Sequence, residues 1–231
     1  MTPEIITRSF TNDQAVFDGV FFNNRYKIRG NKDKNASKIF VDIGAHAGYF
    51  SFLAMTLGAR KVYAFEPYLD NFSTLLKNCY NPNFVGKFTP YQLGVYTKSS
   101  IEKFDAPELV DNIYFDLGGI GLSVKDDGRF YPCRVETLDD ILSEHCFNEK
   151  IDVLKINIGY AEREILTSSF RLTDNVNSIC GEVTADEIQL LEFKKALGIK
   201  GFINFVSEDS GKEGRLIFRA SKSNLSDNFI E

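Results

Sequence analysis

Phe40 to Pro67 reads FVDIGAHAGYFSFLAMTLGARKVYAFEP, and the interpretation of this stretch decides the fold. An apolar run ends at Asp42, a turn follows with glycines at 44 and 48, and an apolar helical segment leads into a second apolar run that ends in Glu66. This is the pattern of a βαβ unit. Its glycine turn lets backbone N–H groups approach a ligand closely, and an acid closing the second strand is placed to accept hydrogen bonds from ribose hydroxyls. The stretch therefore predicts a site for a nucleoside-bearing cofactor.

Working outward, the 231 residues, 43% hydrophobic with 21 Phe, can bury a sizeable core and suit one α/β domain over 1–231. Against 32 Asp and Glu stand 27 Lys and Arg, and the resulting net charge of −5 argues against nucleic acid as partner, which needs a basic face. No apolar run reaches the roughly 18 residues that span a bilayer, since Asp42, His46, Arg60 and Lys61 interrupt the best candidate. The start, MTPEIITRSF, lacks the apolar core of a signal peptide. Cys79, Cys133, Cys146 and Cys180 are scattered without a Cys-x-x-Cys pair, which reads as reduced, buried thiols. The chain reads as cytoplasmic. No metal-ligand spacing stands out in it.

Residues 1–37 read as an N-terminal arm or short hairpin packed on the domain, with Phe17, Val20, Phe21, Phe22 and Tyr26 as its apolar content and GNKDKNAS at 30–37 as a polar loop. Beyond the βαβ unit, Phe72, Leu75, Leu76 and Cys79 fall at i, i+3, i+4 and i+7 and predict an amphipathic helix. Asn81 and Pro82 break the chain, a strand is expected around Thr89 to Leu93 with Gly94 just past it, and Ile101 to Phe104 suits another. Residues 105–131, with GGIGLS at 118–123, read as a mobile lid. Thr137 is expected to cap a helix bearing Leu138, Ile141 and Leu142. A strand then runs from Ile151 to about Ile158, a helix follows at 161–170, and another strand spans Asn177 to Val183. Thr184 with Glu187 reads as a capping box for a helix with an Ile188, Leu191 and Leu197 stripe that closes at Gly198. Phe202–Val206 and Leu216–Arg219 read as an antiparallel hairpin.

Strands alternating with helices before a terminal hairpin predict a mostly parallel sheet with one antiparallel strand. Such sheets bind ligands at the carboxyl ends of their strands, so Asp42, Glu66, Gly94, Asn157 and Glu182 should share one rim. A dinucleotide site prefers Gly-x-Gly-x-x-Gly, and Gly44-Ala45-His46-Ala47-Gly48 lacks that spacing. An S-adenosylmethionine site has no phosphate to cradle. It needs an acidic ribose clamp and an apolar adenine slot, which Glu66 and Pro67 supply.

At this point the chain resembles the FkbM family of class I S-adenosylmethionine-dependent methyltransferases. VDIGAHAGYFS is similar to that family's first motif, AFEPYLDNFSTLLKN to its second, and VETLDDIL with IDVLKI to the segment leading into the fourth strand. The resemblance covers nearly the whole chain. It implies a Rossmann-like domain, a mostly parallel seven-stranded sheet with helices on both faces and an antiparallel terminal hairpin. It implies O-methylation of a small molecule or glycan hydroxyl, with a catalytically impaired relative and an RNA or protein methyltransferase as alternatives. In this reading Gly44, Ala45, His46, Gly48 and Tyr49 shape the cofactor turn, and Asp42 organises the methionine end. Glu66 holds the ribose, Pro67 borders adenine, and Gly94 lies on the same rim. Asn157 and Glu182 face the acceptor.

One departure bears on catalysis. The family pattern Lys-Ile-Asp-x-Glu-Gly-Ala-Glu is here Lys155-Ile156-Asn157-Ile158-Gly159-Tyr160-Ala161-Glu162, so two rim carboxylates are gone. A neutral amide cannot accept a proton from an alcohol, which leaves Glu182, Glu162 and His46 as candidates. Each has a plainer role available: Glu182 as a cap or a partner of Lys155, Glu162 as a first-turn acid favoured by the helix dipole, and His46 as a turn residue. Tyr160 either contacts substrate or fills space. Asp42 and Glu66, acids ending apolar strands beside a glycine turn, read as cofactor contacts.

Overall fold

The structure, a computed structural model, describes residues 5–9, 11–30, 35–79, 82–105, 130–159 and 161–229. Its strands are β1 (Ile39–Ile43), β2 (Lys61–Phe65), β3 (Phe88–Tyr91), β4 (Gly94–Val95), β5 (Ser100–Asp105), β6 (Phe130–Glu136), β7 (Ile151–Ile156), β8 (Val176–Thr184), β9 (Asn204–Asp209) and β10 (Arg215–Ser221). Seven form the main sheet in the order β3-β2-β1-β7-β8-β10-β9. The first five of these pair in parallel, and β10 runs antiparallel to both β8 and β9. The mixed α/β fold expected from the alternation is present, with its terminal antiparallel pair. Most of the proposed 105–131 lid, including GGIGLS, lies outside the described residues, as do Asn81, Tyr160 and residues 31–34 of the polar loop.

The period of two along β1 and β7 divides the core between the faces of the sheet. Ile39, Val41, Ile43, Leu154 and Ile156 pack with Leu138, Ile165, Leu166 and Phe193 on one face. Phe40 and Val153 pack with Phe50, Phe52, Leu53 and Leu75 on the other. Helices Glu162–Ser168 and Glu187–Ile199 thus serve the first core, and Tyr49–Thr56 and Leu69–Cys79 the second. Within the second core the N-terminal arm is helical rather than a hairpin: Asp13–Phe17 continues as a π-helical turn, Asp18–Phe22. Phe17 meets Tyr49 at 5.5 Å between ring centroids, and Ile28 forms a single antiparallel bridge to Phe229.

Several local expectations are corrected by packing. β6, which the sequence did not reveal, pairs with β4 and β5 in a separate three-stranded sheet. Helix Leu69–Cys79 forms as expected, but its buried line includes Asn71, Thr74 and Asn78 instead of Phe72 and Leu76, which are partly exposed. The polar residues face inward because backbone groups await them there: the Asn78 amide donates to the Ala47 and Ile6 carbonyls at 2.8 and 3.2 Å. The capping box of Glu187–Ile199 is Asp186 with Gln189, not Thr184 with Glu187. Thr184 is held as the last residue of β8, opposite Arg215. That shift leaves Ile188 and Leu191 exposed at 71% and 53%, while Phe193 and Leu197 form the buried line, and the helix passes Gly198 to end at Ile199. The Thr137 cap forms as expected, accepting from the Asp140 N–H at 3.1 Å.

Candidate active site at the carboxyl ends of the parallel strands

The turn after β1 is assembled by backbone bonds between neighbouring strands. The Gly44 and Ala45 N–H groups both donate to the Phe65 carbonyl at 3.0 Å, and the Asn157 N–H donates to the Ile43 carbonyl at 3.1 Å. Gly44 has φ +70°, and a Cβ there would lie 2.0 Å from the Asn157 carbonyl oxygen, so only glycine fits where the β1 and β7 turns cross. Gly48, also at positive φ, precedes helix Tyr49–Thr56.

Beneath this turn Asp42 and Lys155 occupy paired register positions on β1 and β7. Lys155 Nζ donates to Asp42 Oδ1 at 2.9 Å and to the Gly44 carbonyl at 2.7 Å, while Asp42 Oδ2 accepts from the Ser51 hydroxyl at 2.7 Å and the Ser51 N–H at 3.1 Å. Asp42 is fully buried, and Lys155 is 5% exposed. Burial alone pushes the Lys155 ammonium down, but the Asp42 carboxylate beside it, helped by Tyr26, holds it above its ordinary value. This pair acts on the turn from below.

Glu66 stands on the rim itself. Its Oε2 accepts from the His46 N–H at 2.8 Å, and its Oε1 accepts from the Tyr68 N–H at 3.0 Å and the Asn71 amide at 3.3 Å. Burial raises its pKa above the usual carboxylate range, against the pull of those donors. His46 has φ +55° and lies 3.6 Å through Nε2 from Asp13 Oδ1. Tyr49 is 1% exposed, and its hydroxyl donates to the Ile6 carbonyl at 3.3 Å. Pro67, at the end of the same stretch, is partly exposed, and its carbonyl lies 3.9 Å from Cys133 Sγ. Gly94 opens β4, paired with Val135.

The side expected to face an acceptor is a charged cluster. The Asn157 amide donates to the Tyr26 hydroxyl at 3.1 Å, and its oxygen accepts from Arg215 at 3.3 Å. Glu182, 1% exposed, pairs with Arg25, and its Oε2 lies 3.6 Å from Arg215 Nε. It does not pair with Lys155, which is taken by Asp42. Glu162 caps the turn before its helix, accepting from the Ile158 and Gly159 N–H groups at 2.9 and 2.7 Å, with Arg215 at 3.6 Å. Gly159 has φ +110° with open space around it.

The structure thus joins Asp42 to Lys155, Glu66 to His46, and Asn157 to Glu182 through Arg215. Arg25, Tyr26 and Arg215 were missed from sequence. They come from the arm and the terminal hairpin, and no spacing links them to the motifs. A further group, Glu136, Glu144 and His145, converges at the end of β6 without a recognisable sequence pattern.

The family model described as Methyltransferase FkbM domain matches residues 42–197. None of the curated proteins compared with the chain matches it. Among solved structures, the human methyltransferase 10 domain containing protein is 15% identical, covers 91% of this chain with 82% of its own, and superposes with a TM-score of 0.51. The TYW2 protein of M. jannaschii, solved in complex with AdoMet, is 12% identical over 94% of this chain and 77% of its own, with a TM-score of 0.48. At 15% identity the first of these is a likeness of fold. No helix among the described residues is long and apolar enough to cross a membrane.

Proposed function

The chain belongs to the FkbM family of methyltransferases, and from that premise we propose that it moves the methyl group of S-adenosylmethionine to a hydroxyl of a small molecule or glycan. The observation that carries the donor half is the Gly44–Gly48 turn, pinned between β2 and β7 with the Glu66 carboxylate at its edge. The residues fit such a cofactor. Each carboxylate oxygen offers about two acceptor sites, and Glu66 Oε2 uses one of them on His46, which leaves capacity for a ribose hydroxyl. In this reading Gly44, Ala45, His46, Gly48 and Tyr49 shape the cradle, Pro67 and Gly94 border the base, and Asp42 fixes the turn through Lys155. When bound, the cofactor supplies an electrophilic methyl group on its sulfonium.

The protein's share of the chemistry is placement and a proton. Holding the acceptor oxygen in line at near-attack distance supplies much of the rate. Asn157 is assigned to orient that oxygen and Glu182, flanked by Arg25 and Arg215, to receive its proton. Transfer of labelled methyl groups to hydroxyl-bearing acceptors tests this assignment. Glu182→Gln should lower kcat by about 10²-fold with donor affinity unchanged, whereas full activity in that variant would overturn it. Label incorporated into RNA instead would replace the small-molecule acceptor.

One observation favours a second reading. Glu162 and Glu182 are both already committed, Glu162 to backbone N–H groups and Glu182 to arginines. A protein that binds the cofactor without turning it over fits that arrangement. Asn157→Asp restores a carboxylate beside Arg215, and a gain of transfer in that variant supports an impaired enzyme.

A further inference from the structure

The group at the end of β6 lies outside the site described above. We propose that Glu136, Glu144 and His145 form a binding site for a divalent cation of the zinc class. One ligand atom from each lies within 4.8 Å of the others, and His145 Nε2 is already 2.7 Å from Glu136 Oε2. One imidazole nitrogen with two carboxylate oxygens suits zinc, which takes such ligands at about 2.0–2.2 Å and leaves a fourth position for water. Magnesium and calcium prefer oxygen-only sets.

Three features make this more than a chance surface pairing. Glu136 is 3% exposed, so its carboxylate is desolvated at the base of the group. The His145 ring is fixed by packing, with the Tyr91 and Phe65 ring centroids at 4.7 and 6.0 Å, which pre-organises its nitrogen. Glu144 and His145 also sit in a π-helical turn, Ile141–His145, of the kind that recurs at functional positions. Beside the group opens a cleft of about 460 Å³, lined in part by Ser99, Ser100, Glu136 and Glu144, which gives an ion and its water a path in. Arg134 holds Glu136 Oε1 at 2.5 Å, but its side chain is 70% exposed and can leave the carboxylate at little cost. It is the ion's competitor.

Zinc titration of the full chain, followed by calorimetry and by thermal unfolding, tests the site. The wild type should bind one zinc per chain and gain thermal stability with it. Glu144→Gln, a change at an exposed residue that leaves the fold intact, and His145→Ala should each weaken binding by about tenfold or more, and Arg134→Gln should tighten it. Wild-type zinc affinity in both ligand variants would overturn the proposal. So would no binding at about 100 µM zinc, or saturation by magnesium in preference to zinc.

Discussion

At the scale of single residues the rim holds charges that are costly to isolate. Asp42 and Lys155 are buried together, so Lys155→Met leaves an unpaired carboxylate in the core and should cost about 3–5 kcal/mol, measured by urea unfolding. A cost below about 1 kcal/mol, typical of an exposed pair, would show that the two charges are not coupled. Glu66 behaves in the opposite sense. Its folded pKa is raised above the ordinary 4.5 by burial, so between those two values the folded chain keeps a proton that the unfolded chain has released. Stability from this group therefore falls as pH rises from 4.5 through the raised value. Glu66→Gln has no such proton, and its urea midpoint should lack that decline. Identical pH slopes in the two proteins would contradict the burial of this carboxylate. The acids themselves were legible in the sequence, since Asp42 and Glu66 end apolar strands. Their division of labour was not, because it depends on the Asp42–Lys155 register across a parallel strand pair whose members are more than a hundred residues apart.

Among the elements, strand pairing and buried hydrogen bonds overrode local patterns. Thr184 and Asp186 both suit an N-cap, and the choice falls to Asp186 because β10 holds Thr184 in the sheet. Asp186→Ala should cost about 1 kcal/mol of stability, while Thr184→Val, at an exposed strand position, should cost little; the reverse order in thermal unfolding would restore the Thr184 cap. Helix Leu69–Cys79 was readable by period, but its rotation was not, since Asn71 and Asn78 turn inward to meet Glu66 and Ala47. Apolarity alone places those two asparagines on the wrong face. β6 carries Pro132 and Arg134 and has no clean alternation, so only its partners β4 and β5 define it.

Across the whole molecule the proposed donor half is local and the proposed acceptor half is assembled from afar. Phe40 to Pro67 contains the glycine turn, the crossover helix and the acid proposed to hold the ribose, which is why one stretch of sequence sufficed to read both the fold and the cofactor class. Arg25 and Tyr26 from the arm and Arg215 from the terminal hairpin meet Asn157 and Glu182 only once the sheet is complete. Gly44→Ala tests how far the cradle depends on that closure. Its Cβ would meet the Asn157 carbonyl at 2.0 Å, so the variant should lose cofactor binding and stability together. The central claim is the donor site, and calorimetric titration of the wild-type chain with S-adenosylmethionine and S-adenosylhomocysteine tests it most directly. Both should bind with Kd of order 1 µM, and Glu66→Ala should weaken both by about tenfold or more, the loss of one or two hydrogen bonds to a charged group. No heat with either ligand would contradict it.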